Sequence, residues 1–120
     1  MAHRIEKTED FIEVHLSGET HEEEILIILW KLHQLIPRKE ISDVWLLDEA
    51  CVVPWQAYSK IVRGIAGLMS SDMITSKSAI VVSNHFQMAQ AEMFREEAKC
   101  LPYEIGVFMS REESARWLKA

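Results

Sequence analysis

Two short strings carry the side chains best suited to chemistry. Asp48 and Glu49 follow the apolar run Val44-Trp45-Leu46-Leu47, and His85 follows Ala79-Ile80-Val81-Val82 and the polar pair Ser83-Asn84. Adjacent carboxylates with an imidazole nearby could share general acid–base work. Each also has a plain structural use: Asp48 can hold loop amides, Glu49 can be solvated, and Asn84 can cap a helix. The plain use is the expectation, so no catalysis is assigned. Cys51 could be a nucleophile if it opened a helix, where a thiol's pKa falls. It lacks a His and acid frame, and a structural thiol is the expectation. His3, His15, His21, His33 and His85 are scattered. No two have i, i+4 spacing or an HExxH frame, so no metal or other cofactor is expected.

Apolar residues in positions that should be polar point elsewhere. Val52-Val53-Pro54-Trp55 follows a strand-like run, with Tyr58 close behind, and Leu68-Met69 and Met73-Ile74 flank a loose polar stretch. Methionine adapts to irregular apolar partners. Together these residues could plug the end of the core, line a pocket for a fatty or aromatic ligand, or form a protein-docking patch. The candidate binding residues are Asp48, Glu49, Trp55, Tyr58, Met69, Met73 and His85. Trp30 and Trp45 read as core.

The elements that must position these residues follow from periodicity. Ile5 to Thr8 and Phe11 to Ser17 read as a hairpin turning at Glu9-Asp10. In its second arm Ile12, Val14 and Leu16 alternate with Glu13 and His15, the mark of one wet face. Ser17-Gly18-Glu19 breaks that strand. Thr20 with Glu23 has capping-box spacing, Glu22 to Glu24 suit the positive end of a helix dipole, and Ile25, Leu29, Leu32 and Ile36 recur at helical spacing until Pro37. Three continuous apolar runs follow: Val44–Leu47, Ala79–Val82 and Ile105–Phe108. Such runs suit parallel strands covered on both faces. A helix-like segment follows each: from Pro54 to about Gly67, from the capping pair Asn84/Gln87 to near Cys100, and from the capping box Ser110/Glu113 onward. The rule that ligands gather beyond the carboxyl ends of the strands would collect Ser17, Glu19, Asp48, Glu49, Ser83, Asn84, His85, Ser110 and Arg111 at one rim.

The order is ββαβαβαβα. It predicts an α/β fold with a five-stranded mixed, mostly parallel sheet, an N-terminal antiparallel hairpin and four helices. The 120 residues suit a single domain, 1–120. Lys plus Arg number 13 and Asp plus Glu 19, giving a formal net charge of −6. That balance argues against nucleic acid and against docking on anionic lipid by charge. The longest apolar run, Ile25 to Trp30, is far short of the roughly 20 residues that span a bilayer. With no apolar signal core and no CxxC pair, a cytoplasmic chain with reduced thiols is expected, and Cys51 and Cys100 are not expected to pair.

Particular strings fit one known architecture: Phe11-Ile12-Glu13-Val14 in the hairpin, Gly18-Glu19-Thr20 before the long helix, and an apolar strand ending in Asp48 with Trp55 soon after. The chain then closes on Val107-Phe108 and Ser110-Arg111-Glu112-Glu113-Ser114-Ala115-Arg116-Trp117-Leu118. These resemble the SpoIIAA-like (STAS-like) family, in particular its small bacterial members of unknown role. The resemblance implies the fold. It also implies a binding module, since the best-known relatives are anti-sigma-factor antagonists switched by a serine, usually preceded by Asp, at the start of the helix after the central strand. The corresponding stretch here, Asp48-Glu49-Ala50-Cys51-Val52-Val53-Pro54-Trp55, holds no Ser or Thr, and Ser59 falls within the predicted helix. The switch is therefore not carried over. The expectation is a non-catalytic module acting through a protein partner or self-association, a dimer included. A carrier of a small apolar or lipidic ligand is the alternative, by likeness of fold to CRAL-TRIO domains. An enzyme using Asp48, Glu49 or His85 is the lesser one.

Overall fold

The structure, a computed structural model, describes residues 2–8, 10–35, 42–68, 77–101 and 103–120. The chain opens with β1 (Ala2–Lys7) and β2 (Phe11–Ser17), then α1 (Glu22–Leu35) and β3 (Ser42–Leu47). A 3₁₀ turn (Trp55–Ala57) leads into α2 (Tyr58–Leu68), followed by β4 (Lys77–Val81) and α3 (His85–Glu97). A second 3₁₀ turn (Ala98–Cys100), β5 (Glu104–Phe108) and α4 (Arg111–Lys119) complete it. The sheet order is β1-β2-β3-β4-β5, with β1 antiparallel to β2 and every later pair parallel. This is the expected ββαβαβαβα arrangement. The Pro37 helix stop and the stretch holding Met69 and Met73 lie outside the described residues.

Because each crossover joins adjacent strands in the same direction, crossovers of one hand put α1, α2 and α3 on one face. Ile12, Val14 and Leu16 of β2 pack there with Ile25 and Ile28 of α1 and Ile61, Val62 and Ile65 of α2. Gly64 lets α1 and α2 close: a Cβ on it would lie 2.3 Å from Leu26 Cδ2. On the opposite face α4 packs on β3 to β5, with the rings of Phe108 and Trp117 5.4 Å apart.

Several local expectations change. Thr20 does not cap α1: the first helical bonds are accepted by the His21 carbonyl, and the buried Thr20 hydroxyl donates to the Gly18 carbonyl at 3.3 Å. Gly18 has a φ of 74°, so the turn after β2 uses the left-handed region that glycine enters without a Cβ clash. Trp30 is not core but 54% exposed. Six consecutive apolar residues wrap all round a helix, and only the side holding Ile25, Ile28, Leu29 and Leu32 reaches the sheet, leaving Ile27 and Trp30 outward. The wet face expected of β2 is partly covered, because α4 delivers the Arg111 guanidinium to Glu13, which is 4% exposed. The Asn84 cap forms as expected, its side chain accepting from Gln87 N at 2.8 Å, and Ser110 caps α4 through Glu113 N at 3.3 Å. Among the described residues, no helix is long and apolar enough to cross a membrane.

Candidate functional site

The main internal feature is a cavity of about 160 Å³, partly open to solvent, between the sheet and α1–α3. Period-two alternation builds its floor. Asp43, Trp45 and Leu47 occupy one face of β3, Ser78 and Ile80 the same face of β4, and Ile105 that of β5. Helical spacing builds its roof: Leu29 and Leu32 from α1, Ile61 and Ile65 from α2, and Ala91 and Phe94 from α3. Tyr58, at the start of α2, meets Phe94 edge to face at 5.6 Å and 79°.

One end of this apolar space is polar. Asp43 is 5% exposed, and its Oδ1 accepts from Trp45 Nε1 at 3.0 Å and from the Ser78 hydroxyl across the strand register. Tyr103 borders the same cavity. Burial pushes its phenol above the ordinary value of 10.0, and the Asp43 charge adds to the rise. Burial also raises Tyr58.

The other end is closed by a bonded loop. Gln87, 3% exposed, donates from Nε2 to the Asp48 carbonyl at 2.6 Å and the Cys51 carbonyl at 3.0 Å, and its Oε1 accepts from Ser83 N at 2.7 Å. Val52 and the Gly18–Thr20 turn exchange backbone bonds of 3.2 and 2.8 Å, joining the loops after β2 and β3. Cys51 is therefore a buried residue in a largely exposed loop, not at a helix start. Burial pushes its thiol up, the Thr20 hydroxyl at 3.7 Å pulls the other way, and the Asp48 charge adds to the rise. A raised thiol is a poor nucleophile. Cys51 and Cys100 are unpaired, the first buried and the second exposed.

The rim gathers some of the expected residues, most of them engaged in turns and caps. Asp48 Oδ1 accepts from Ala50 N at 3.1 Å, and the Ser83 hydroxyl donates to the Leu47 carbonyl at 2.7 Å. Asn84 caps α3 and reaches the Glu49 carbonyl at 3.5 Å, while the Glu49 and His85 side chains are exposed. Arg111 leaves this group, because it serves Glu13 on the opposite face. Trp55 is 58% exposed beside exposed Val52, whereas Tyr58 turns into the cavity. The candidates thus divide: Tyr58 is in the cavity wall, and Asp48, Glu49, Trp55 and His85 are at the rim. Ser59, the second residue of α2, is exposed.

A second cluster lies across the hairpin. Glu6, Glu13 and His15 bring their ligand-type atoms within 4.8 Å of one another. Arg4 meets Glu6 at 2.8 Å, Arg111 meets Glu13, and His15 Nε2 is 3.3 Å from Glu13. Two guanidiniums already answer the two carboxylates, so the cluster is an ion-pair network tying α4 to β2. Its pairing depends on strand register, which five scattered histidines do not disclose. The polar end of the cavity also escaped attention, although Asp43-x-Trp45-x-Leu47 has the alternation that puts a carboxylate on a buried face.

Among solved structures, one similar to this chain is that of an uncharacterised protein of the DUF3478 family with a SpoIIAA-like fold from Shewanella loihica PV-4. The two are 16% identical, align over 98% of this chain and 92% of that one, and have a TM-score of 0.62. The fold is SpoIIAA-like. At that identity the likeness concerns the fold alone, as the resemblance of the hairpin and the closing Trp-Leu helix implied. No protein-family model matches the chain, and no curated protein matches it. The loop from Asp48 to Trp55 carries no serine or threonine.

Proposed function

We propose that this SpoIIAA-like domain is a non-catalytic binding module that takes a compact, largely apolar small molecule between its sheet and α1–α3. The cavity of about 160 Å³ carries the reading. An apolar cavity of about 150 Å³ in another protein stays dry and takes up benzene, so this volume suits a ring or short alkyl chain. A long acyl chain exceeds it. The polar end would orient the guest, as few polar groups do in many ligand pockets. The non-catalytic part rests on the rim, where Asp48, Asn84 and Ser110 are engaged in turns and caps.

Native mass spectrometry of freshly purified protein, before and after addition of indole, tests this. The expected result is a 1:1 adduct, copurified or formed with indole, that Ile61→Phe abolishes by filling the cavity. An adduct that persists in Ile61→Phe, or none at any indole concentration, would sink the reading.

Association with a protein partner or a second copy is the other reading, supported by Val52, Trp55, Phe86 and Met109, all exposed in segments after the parallel strands. Exposed apolar clusters often mark docking sites. Trp55→Ala should weaken self-association or partner capture while leaving the fold intact. Unchanged association in sedimentation and pull-down would count against it.

A further inference from the structure

Resting on the cavity reading above, we propose that the guest is an uncharged hydroxylated arene, its hydroxyl held by the Tyr58 hydroxyl and the Gln90 amide and its ring lying against Leu29, Ile61 and Phe94. Tyr58 and Gln90 both line the cavity. Tyr58 is 7% exposed, and Gln90 is half-buried. Among the described residues, neither side chain has a hydrogen-bond partner. Buried tyrosine hydroxyls usually have one. A guest that fills the cavity shuts out water, so the partner must then come from the guest.

Other polar groups around the cavity are already engaged. The Trp45 indole N–H and the Ser78 hydroxyl donate to Asp43, and Tyr103 is not free either. Gln87 spends its amide on Ser83 N and on the Asp48 and Cys51 carbonyls. The Cys51 thiol meets the Thr20 hydroxyl. The polar end can therefore border a guest without requiring a hydrogen bond from it, and the unspent capacity lies on the helix side. There it is local. Phe94 follows Gln90 by four residues on α3, about 6 Å along the axis and on the same face, and the Tyr58 ring meets Phe94 edge to face. Both open groups thus border the seam between α2 and α3.

The chemistry of these two groups selects the head. A phenol and a carboxamide can each donate and accept. A hydroxyl does both with one atom, which suits a volume fitted to a single ring. Neither group carries a charge to offset the hydration that an ammonium or carboxylate would lose on entry. A hydrocarbon would fill the volume and leave both groups unanswered.

The test measures phenol, toluene, benzoate and benzylamine near neutral pH by calorimetry, on the full chain and on Tyr58→Phe and Gln90→Leu. Phenol should bind the unaltered chain more tightly than benzoate or the protonated benzylamine. Tyr58→Phe should weaken phenol about three- to tenfold, the worth of one net hydrogen bond, and leave toluene within about twofold. Gln90→Leu should do the same. With no guest added, the Tyr58→Phe thermal midpoint should hold within about 3 °C, because the hydroxyl bonds nothing among the described residues. Phenol and toluene weakened alike, phenol unaffected by both substitutions, a charged member that binds best, or a larger fall in midpoint would overturn the hydroxyl assignment while leaving the cavity reading in place. No binding by any of the four would overturn both.

Discussion

Replacing Gln87 with leucine removes three hydrogen bonds in one step while keeping the side chain's size. Its Nε2 holds the Asp48 and Cys51 carbonyls and its Oε1 holds Ser83 N, so β4, α3 and the loop after β3 are joined through one amide. The three bonds are not equal. The one to the Cys51 carbonyl is buried, and leaving that acceptor unanswered costs about 1–3 kcal/mol. Asp48 and Ser83 are exposed residues where water can answer, so each bond there is worth about 0.5–1.5 kcal/mol. Burying leucine returns about 1 kcal/mol of apolar transfer. The net loss is about 1–5 kcal/mol. For a domain of this size each kcal/mol lowers Tm by about 4 °C, so the midpoint should fall by about 4–20 °C. Differential scanning calorimetry reads this directly. Gln90→Leu, on a half-buried neighbour in the same helix, is the control and should move little. A Gln87→Leu midpoint within about 3 °C of the unaltered chain would show that the amide is not what closes the loop.

The remaining predictions concern packing and titration. Gly64→Val forces its side chain into Leu26 and should destabilise by about 1–3 kcal/mol in urea unfolding, whereas Gly67→Ala meets nothing within 4 Å and should stabilise by a few tenths to about 1 kcal/mol; equal shifts would refute the close approach of α1 and α2. Stability should fall as pH rises above 9.0 for Cys51 and above 10.0 for Tyr58 and Tyr103, because the unfolded chain releases those protons while the folded one keeps them. Tyr103→Phe should flatten the part above 10.0, as measured by urea midpoints across that range, and an unchanged slope would contradict the burial of the phenol. One thiol should react quickly with a chromogenic disulfide, Cys100, and Cys51 only on unfolding; two fast thiols would mean that the loop after β3 opens freely.

The architecture was legible because its signals are local. Three continuous apolar runs, three capping pairs and a period-two hairpin each announce an element without knowledge of its neighbours; every one of those elements forms, and two of the three caps do. What escaped was anything that depends on a second element. Trp30 belongs to an apolar run long enough to wrap a helix, and only the packing of α1 decides which side faces out. Glu13 reads as solvated until α4 brings Arg111 back across the sheet. Thr20 and Glu23 have the spacing of a cap, but the turn at Gly18 takes the hydroxyl instead. The candidate site shows the same division. Tyr58 stands in a locally apolar string and its side chain lines the cavity, whereas Asp43 and Ser78 become a pair only through the β3–β4 register.

The cavity itself is an argument about selection on this sequence. Empty space enclosed in a core lowers stability by about 24 cal/mol per Å³, so this void, partly open to solvent, costs at most about 4 kcal/mol relative to a filled interior. That is a large share of the 5–15 kcal/mol by which domains are typically stable. Larger side chains at Ala91 or Ile61 would recover part of it, and cores commonly accept such volume changes. The chain instead keeps a void whose wall includes a carboxylate and a serine, groups that a sequence optimised only for packing would exclude. If a guest recovers those contacts, that ceiling of about 4 kcal/mol corresponds to at most a thousandfold in affinity. Stability lost in the empty protein and affinity gained with the guest are thus one quantity, and filling the cavity by mutation should raise Tm and abolish binding together.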